Sequence, residues 1–238
     1  MIRQRDKVFG CYLGAAIGDA LGGPVQAFHA RRIREELGGL NDMREYRKPP
    51  GFFDPGPGYA LRSQKGCVTD ETFVRAQLAE FAIKHSQSRN LIEMIDHINR
   101  YADLTRWPPE MLEPLERIRR GETPPEMAGE AHKPGGALGW WTPIGVVNIA
   151  KPKKAAAEMT RLSAVWKRPA EQDLLAAVQA GVAHALTPRA TVETVVEAAK
   201  EHVGSLTRSL IDRAVAVGRS VKRGEDEQFV DRCYETLL

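Results

Sequence analysis

Thr69-Asp70-Glu71-Thr72 places oxygen-bearing side chains at four successive positions, directly ahead of an apolar pattern carrying Phe73, Val74, Leu78 and Phe81. Oxygen donors without nitrogen or sulfur suit a hard cation such as Mg²⁺, which takes carboxylate, hydroxyl and water oxygens. The same run also has the chemistry of a helix start. Thr or Asp at the N-cap, with acids in the first turn, satisfies free amides and complements the helix dipole. From these residues alone both readings stay open.

Asp19 is the second candidate. It stands in Ile17-Gly18-Asp19-Ala20-Leu21-Gly22, among small and apolar neighbours. A carboxylate in such surroundings is costly unless a donor or a cation meets it. Asp19 therefore either caps a neighbouring segment or faces a ligand. Beside it, Gly10, Gly14, Gly18 and Gly22 recur every four residues and form a ridge on one helix face. Each glycine inside a helix costs roughly 0.8–1 kcal/mol relative to alanine. The ridge thus predicts close approach of another backbone, as at a small-residue helix seam. It is not a phosphate loop, because Gly-x-x-x-x-Gly-Lys-Ser/Thr is absent and no strand precedes the glycines.

Other residue types offer less. His29, His85, His97, His132, His184 and His202 show no paired spacing for a metal and read as surface or helix-end residues. Cys11, Cys67 and Cys233 are far apart, with no Cys-x-x-Cys pair, so neither a zinc knuckle nor a disulfide framework is indicated. No Ser or Cys has a recognisable neighbouring base, which argues against covalent nucleophilic catalysis. Trp140-Trp141 reads either as core plus rim or as a stacking surface for an adenine. Phe52, Phe53 and Tyr59 either line a cleft mouth or decorate a loop. The basic runs Arg31-Arg32-Ile33-Arg34 and Arg117-Ile118-Arg119-Arg120 read as solvated helix faces.

The elements that must position these residues are helices. No convincing alternation of apolar and polar residues occurs, whereas the 3.6-residue period recurs along the chain. It predicts helices over about Val8–Leu21, from near Asp70, Asn90–Tyr101 and Glu110–Arg120. In the second half it predicts Ala155–Val165, Pro169–Leu186, Thr191–His202, Ser205–Lys222 and a further one from Gln228. Pro169 suits a first helical position, and Thr187-Pro188 closes the same helix. Arg47–Gly66 and Gly121–Gly139, rich in Pro and Gly, read as long loops, which inside a compact domain are usually functional or disordered. The expectation is an all-α protein, a compact orthogonal multi-helix bundle forming a single domain over residues 1–238.

With 238 residues the chain can bury a proper core. A net charge of +3, spread among 31 acidic residues, does not indicate a nucleic-acid partner and is compatible with a small anionic ligand. The glycine-rich, Asp19-bearing N-terminus is too polar for a signal peptide, so no membrane partner is expected and the cytoplasm is the expected compartment.

Gly14-Ala15-Ala16-Ile17-Gly18-Asp19-Ala20-Leu21-Gly22-Gly23-Pro24-Val25 resembles the opening helix of the ADP-ribosylglycohydrolase family. In that family a loop of variable length and a Thr-Asp-Asp-Thr run at a helix start follow, the place that Thr69–Thr72 occupies. A third segment, Gly135-Gly136-Ala137-Leu138-Gly139-Trp140-Trp141-Thr142-Pro143-Ile144-Gly145, is similar to the family's Gly-rich stretch that helps line the ADP-ribose cleft. The resemblance implies an all-α hydrolase holding two Mg²⁺ ions and cleaving the glycosidic bond of ADP-ribose attached to a protein or small molecule. It assigns metal ligation to Thr69, Asp70 and Glu71, catalysis to Asp70 and Glu71, and contacts to the bound ligand to Asp19, Gly135 and Gly136.

Three departures stand against the family pattern. Gln26 occupies the region where members commonly carry a Glu, and an amide cannot act as acid or base. Glu71 replaces the second Asp and extends the carboxylate by one methylene. No Gly-x-Asp-Thr-Asp-type run follows the last helix, so the resemblance implies a C-terminally truncated domain, a partner that completes the site, or a degenerate member. The alternative function is accordingly a module that binds ADP-ribose-type ligands without turnover.

Overall fold

The periodic patterns become helices with boundaries shifted by a few residues. The computed structural model describes residues 3–26, 28–39, 42–44, 65–131, 139–221 and 226–237. Every regular element among them is helical: α1 (Gln4–Gly22), α2 (Ala30–Leu37), α3 (Asp70–Lys84), α4 (Leu91–Tyr101), α5 (Pro109–Arg119), α6 (Thr142–Val147), α7 (Pro152–Ser163), α8 (Pro169–Ala185), α9 (Val192–Glu201), α10 (Ser205–Ser220) and α11 (Asp226–Leu237). Short 3₁₀ turns stand at Gly23–Val25, Leu104–Arg106, Pro125–Ala131 and Gly139–Trp141.

Local chemistry explains the ends. Asn90 accepts the Glu93 amide at 2.9 Å and opens α4, and Thr191 and Thr194 exchange side-chain and backbone bonds across the start of α9. Proline at the first position opens α5, α7 and α8, where its missing N–H is lost at no expense. The sequence pattern did not delimit α2 or α6. The stretch expected as one loop over Gly121–Gly139 contains the Pro125–Ala131 turn, whose Ala128 and Gly129 are buried.

α8 is the hub, packing on α6, α7, α9 and α10. Its neighbours come close because its buried face is small: Ala176, Ala177 and Ala180 pack with Ala156 of α7. Gly145 of α6 permits the tightest approach, since a Cβ there would stand 2.7 Å from Val182 and 3.0 Å from the Gln179 carbonyl. The larger core gathers Trp107, Trp140, Trp141 and Trp166 with Val74, Leu78 and Phe81 of α3. Both Trp140 and Trp141 are fully buried in it, which leaves neither as a rim or stacking surface.

One buried ion pair ties the α3–α4 corner to α7. Arg89 donates to the Glu158 carboxylate, which also accepts from the Asn148 amide at 2.8 Å, while Arg89 reaches the Ala82 and Ser86 carbonyls. Such a pair contributes little net stability, yet removing one partner leaves a buried charge and costs about 3–5 kcal/mol.

His97 corrects a sequence expectation. It is not at the surface or at a helix end but buried on α4, ringed by Phe81 of α3, by His85 just past the end of α3 and by Tyr101 of its own helix. Burial holds its imidazole below the ordinary histidine range, with Glu80 opposing and the neighbouring His85 and Lys84 adding.

Candidate functional site

Asp19 and the Thr69–Thr72 run, 50 residues apart in sequence, meet where α1 crosses the start of α3. The face of α1 that carries Cys11, Tyr12, Ala15 and Asp19 turns toward α3 and is half-buried. The Asp19 carboxylate accepts four hydrogen bonds there. Thr69 donates its backbone N–H to Oδ2 at 2.9 Å and its hydroxyl to Oδ1 at 2.6 Å. Thr72 donates its N–H at 3.2 Å and its hydroxyl at 2.6 Å, both to Oδ2. Thr69 is itself the N-cap of α3, accepting the Glu71 amide at 3.1 Å. A carboxylate on the free amides at a helix start gains from both the bonds and the dipole. The capping reading of the two segments is therefore realised, and it joins them.

Capping does not exhaust the oxygens. The Thr69 hydroxyl gives its proton to Asp19 and one lone pair to the Glu71 amide, which leaves a second lone pair. Asp70 and Glu71 follow in the first turn, both half-buried. By residue type the run offers one hydroxyl and two carboxylates, the oxygen chemistry that a hard cation takes. Among the described residues no group of three or more His, Cys, Asp or Glu side chains is arranged to hold a metal. Gly135 and Gly136 lie outside the described residues.

The structure adds Arg75 and Lys167, which the sequence reading passed over, and gives Gly139 of the third segment a specific place. Arg75, one turn beyond Glu71 on α3, is buried and donates its Nε–H to the Gly139 carbonyl at 2.9 Å. Gly139 has no side chain for good reason, because a Cβ there would stand 2.7 Å from Glu71 Oε2 and 3.0 Å from Arg75 Nη2. Lys167, only 1% exposed, lies 3.7 Å from Glu171. Burial pushes its ammonium down from the usual lysine range, opposed by Glu171 and then by Glu71. The i, i+4 spacing of Glu71 and Arg75 signalled a shared helix face. Nothing in the spacing around Lys167 signalled its burial.

Across from Arg75 stand Cys11 and Tyr12 of α1. Burial raises the Cys11 thiol, against the guanidinium of Arg75, which lowers it. Tyr12 is pushed up to about 12, by burial first and by Cys11 second. With both values raised, neither group carries a negative charge at neutral pH.

The glycine ridge behaves unlike its expectation. A Cβ at Gly10, Gly14, Gly18 or Gly22 would meet nothing within 4 Å, and the ridge faces outward beside Phe9, Leu13 and Ile17. No backbone packs on it among the described residues. By length and composition alone the stretch Gln4–Val25 is apolar enough to cross a membrane, although its Asp19 face is tied to α3.

No curated protein and no solved structure matches the chain. The sequence profile of one family, ADP-ribosylglycohydrolase, matches residues 1–237, and so covers the glycine helix, the Asp19–Thr69 junction and all of the helical second half. On that match, carried over the whole length of an all-α fold, the chain belongs to the ADP-ribosylglycohydrolase family.

Proposed function

We propose that the start of α3 holds Mg²⁺ and that the chain removes ADP-ribose from a modified protein or small molecule by hydrolysis of its glycosidic bond. Family membership supports an ADP-ribosylglycohydrolase-type hydrolase. The finer reading is carried by one observation, the Asp19 carboxylate fixing both threonine hydroxyls at the edge of an oxygen-only donor set.

Thr69, Asp70 and Glu71 are the residues that would hold the ion. When bound, Mg²⁺ supplies polarisation of an oxygen at the reacting centre. The chain's own part follows from charge and position. Cleavage at an anomeric carbon develops positive, oxocarbenium-like charge, which a carboxylate nearby stabilises. Asp70 and Glu71 provide that negative charge, and either can orient a water by accepting its proton in a hydrogen bond. Asp19 takes no proton in this scheme. It keeps Thr69 and Thr72 in register, so the oxygens at the helix start do not have to be ordered when ligand arrives. Asp19, with Gly135 and Gly136, is proposed to border the bound ADP-ribose.

The test is release of free ADP-ribose from mono-ADP-ribosylated protein by the purified chain. Release with Mg²⁺ that stops on adding EDTA supports the reading. No release from any modified substrate, with free ADP-ribose still bound, defeats it and favours a second reading. Gln26, which cannot titrate where a family Glu is common, is the residue that favours a binding module without turnover. Titration calorimetry with ADP-ribose separates the two, because the absence of heat removes the second reading.

A further inference from the structure

A groove of about 810 Å³ opens where the α3–α4 corner meets α7 and the Pro125–Ala131 turn. This is the end of α3 away from Thr69, and the 15 residues of the helix set about 22 Å between the two. The walls of the groove are fixed. Arg89, at the entry to α4, is bound to Glu158 of α7, and the Gly129 amide donates to the Ala164 carbonyl at 2.9 Å. A Cβ on Gly129 would stand 2.5 Å from that carbonyl oxygen, so glycine lets the turn sit this close to the α7–α8 corner. Ala128 and Gly129 are buried beneath the turn, which leaves Glu126 and Glu130 exposed on it.

Two chemistries line the groove. Ile92, Ala164 and Pro169 give it apolar surface, and Ile92 is 60% exposed, so much of that surface is unmatched. Glu93, Glu126 and Glu130 set three carboxylates against one cation, Arg161. Glu93 faces His85 Nδ1 at 3.7 Å. Among the described residues Glu126, Glu130 and Arg161 make no hydrogen bond or ion pair, so opposite charges share the groove without closing on each other. Long exposed side chains are poor clasps for a small molecule, because ordering them costs rotamer entropy. They suit the rim of a protein contact, where apolar surface holds and charge steers. We propose that the groove docks a segment of a partner protein in which an apolar anchor is flanked by arginine or lysine. Charge complementarity sets the sign. A basic segment neutralises Glu126 and Glu130 without breaking any ion pair of the protein's own, whereas an acidic one would meet three carboxylates. The anchor packs on Ile92 and Pro169 and removes apolar area from water on both sides.

The test is fluorescence anisotropy of the full chain with a labelled peptide carrying leucine and arginine in a glycine–serine background. A counterpart peptide has glutamate for each arginine. The arginine peptide binds saturably, and the glutamate peptide binds at least about tenfold more weakly. Affinity falls as NaCl is raised, since exposed charges are screened. Changing Glu126→Gln and Glu130→Gln together weakens the arginine peptide about three- to tenfold, in the range of two exposed ion pairs, and flattens the salt dependence. Ile92→Ser weakens it by a similar factor at every salt concentration, because apolar contact is not screened. Arg161→Gln acts in the other direction and tightens it by up to about threefold. These side chains are all exposed, so the unfolding midpoints of the variants stay near that of the parent.

No saturable binding of the arginine peptide by the parent overturns the proposal, and so does equal affinity for the glutamate peptide. Binding unaltered by the double glutamine change puts the peptide elsewhere and overturns it as well. Displacement of the peptide by MgCl₂ far beyond that by NaCl of equal ionic strength assigns the carboxylates to a cation and counts against docking. Sedimentation of the chain alone that shows a dimer, lost in the double variant, makes a second copy the occupant and also counts against it. The peptide is read without ADP-ribose or metal, so failure here leaves hydrolysis at the start of α3 standing, and failure of hydrolysis leaves the docking result standing.

Discussion

The two ends of α3 are held by different physics. At its C-terminal end Leu78, Phe81 and Ala82 are buried against α4 and the tryptophan core, and His97 joins them through ring contacts. At its N-terminal end the partners are a carboxylate, two hydroxyls and a buried guanidinium, bridging to α1 and to Gly139. The first end is non-directional burial, which tolerates small shifts. The second is a set of directional bonds, each of which fixes an atom. Within one helix the fold therefore separates an anchor from the candidate site.

Breaking the anchor carries the largest effect. Phe81→Ala is expected to cost about 3–5 kcal/mol, from lost transfer energy and the cavity left at a fully buried position. Chemical denaturation reads it as a lower midpoint with the slope kept. Asp19→Ala strikes the other end. It leaves two amides and two hydroxyls without their acceptor, and the expected loss is roughly 2 kcal/mol, in the range of a strong helix cap. Unlike Phe81→Ala, it also loosens the α3 start, so amide exchange should quicken locally at Thr69–Thr72 before the rest of the helix.

His97 sharpens the contrast through pH. Its folded value lies below the free value near 6.5, so the native state resists a proton that the unfolded chain accepts. Its contribution is present at neutral pH and is lost as pH falls below about 6.5. Glu80 and Lys84 of α3, His85 at its C-terminal cap and Tyr101 of α4 face it, and of these Glu80 opposes the shift. Melting curves of the parent should lose more between pH 7.5 and 5 than those of His97→Phe, and equal losses would remove His97 as the cause.

Gly14→Ala is the smallest change and runs in the opposite direction. With open space around the position, alanine should stabilise α1 by roughly 0.5–1 kcal/mol. A loss of stability instead would show that something covers the ridge.

The helical second half was legible in the sequence because amphipathic periodicity is a direct record of burial, and α8 and α9 sit where Pro169 and Thr191 announced them. The site was legible as two candidate segments. Their junction was not, because a carboxylate among glycines states a need for donors without naming them, and Thr69 and Thr72 lie 50 residues or more away. Arg75 escaped notice for a related reason. An arginine on an amphipathic helix normally faces solvent, and nothing in the sequence says that this one is buried against the Gly139 carbonyl. The glycine ridge misled in the reverse sense, since regular spacing records permission for close contact and not its presence.

The central claim, that the start of α3 is a divalent-cation site set up by Asp19, is tested most directly by Mn²⁺ titration of Asp70→Asn beside the parent. The account predicts saturable binding by the parent and a loss of at least about tenfold in the variant, in the range seen when a metal site is disturbed. Equal affinity of the two proteins would contradict it and return Thr69–Thr72 to a helix cap alone.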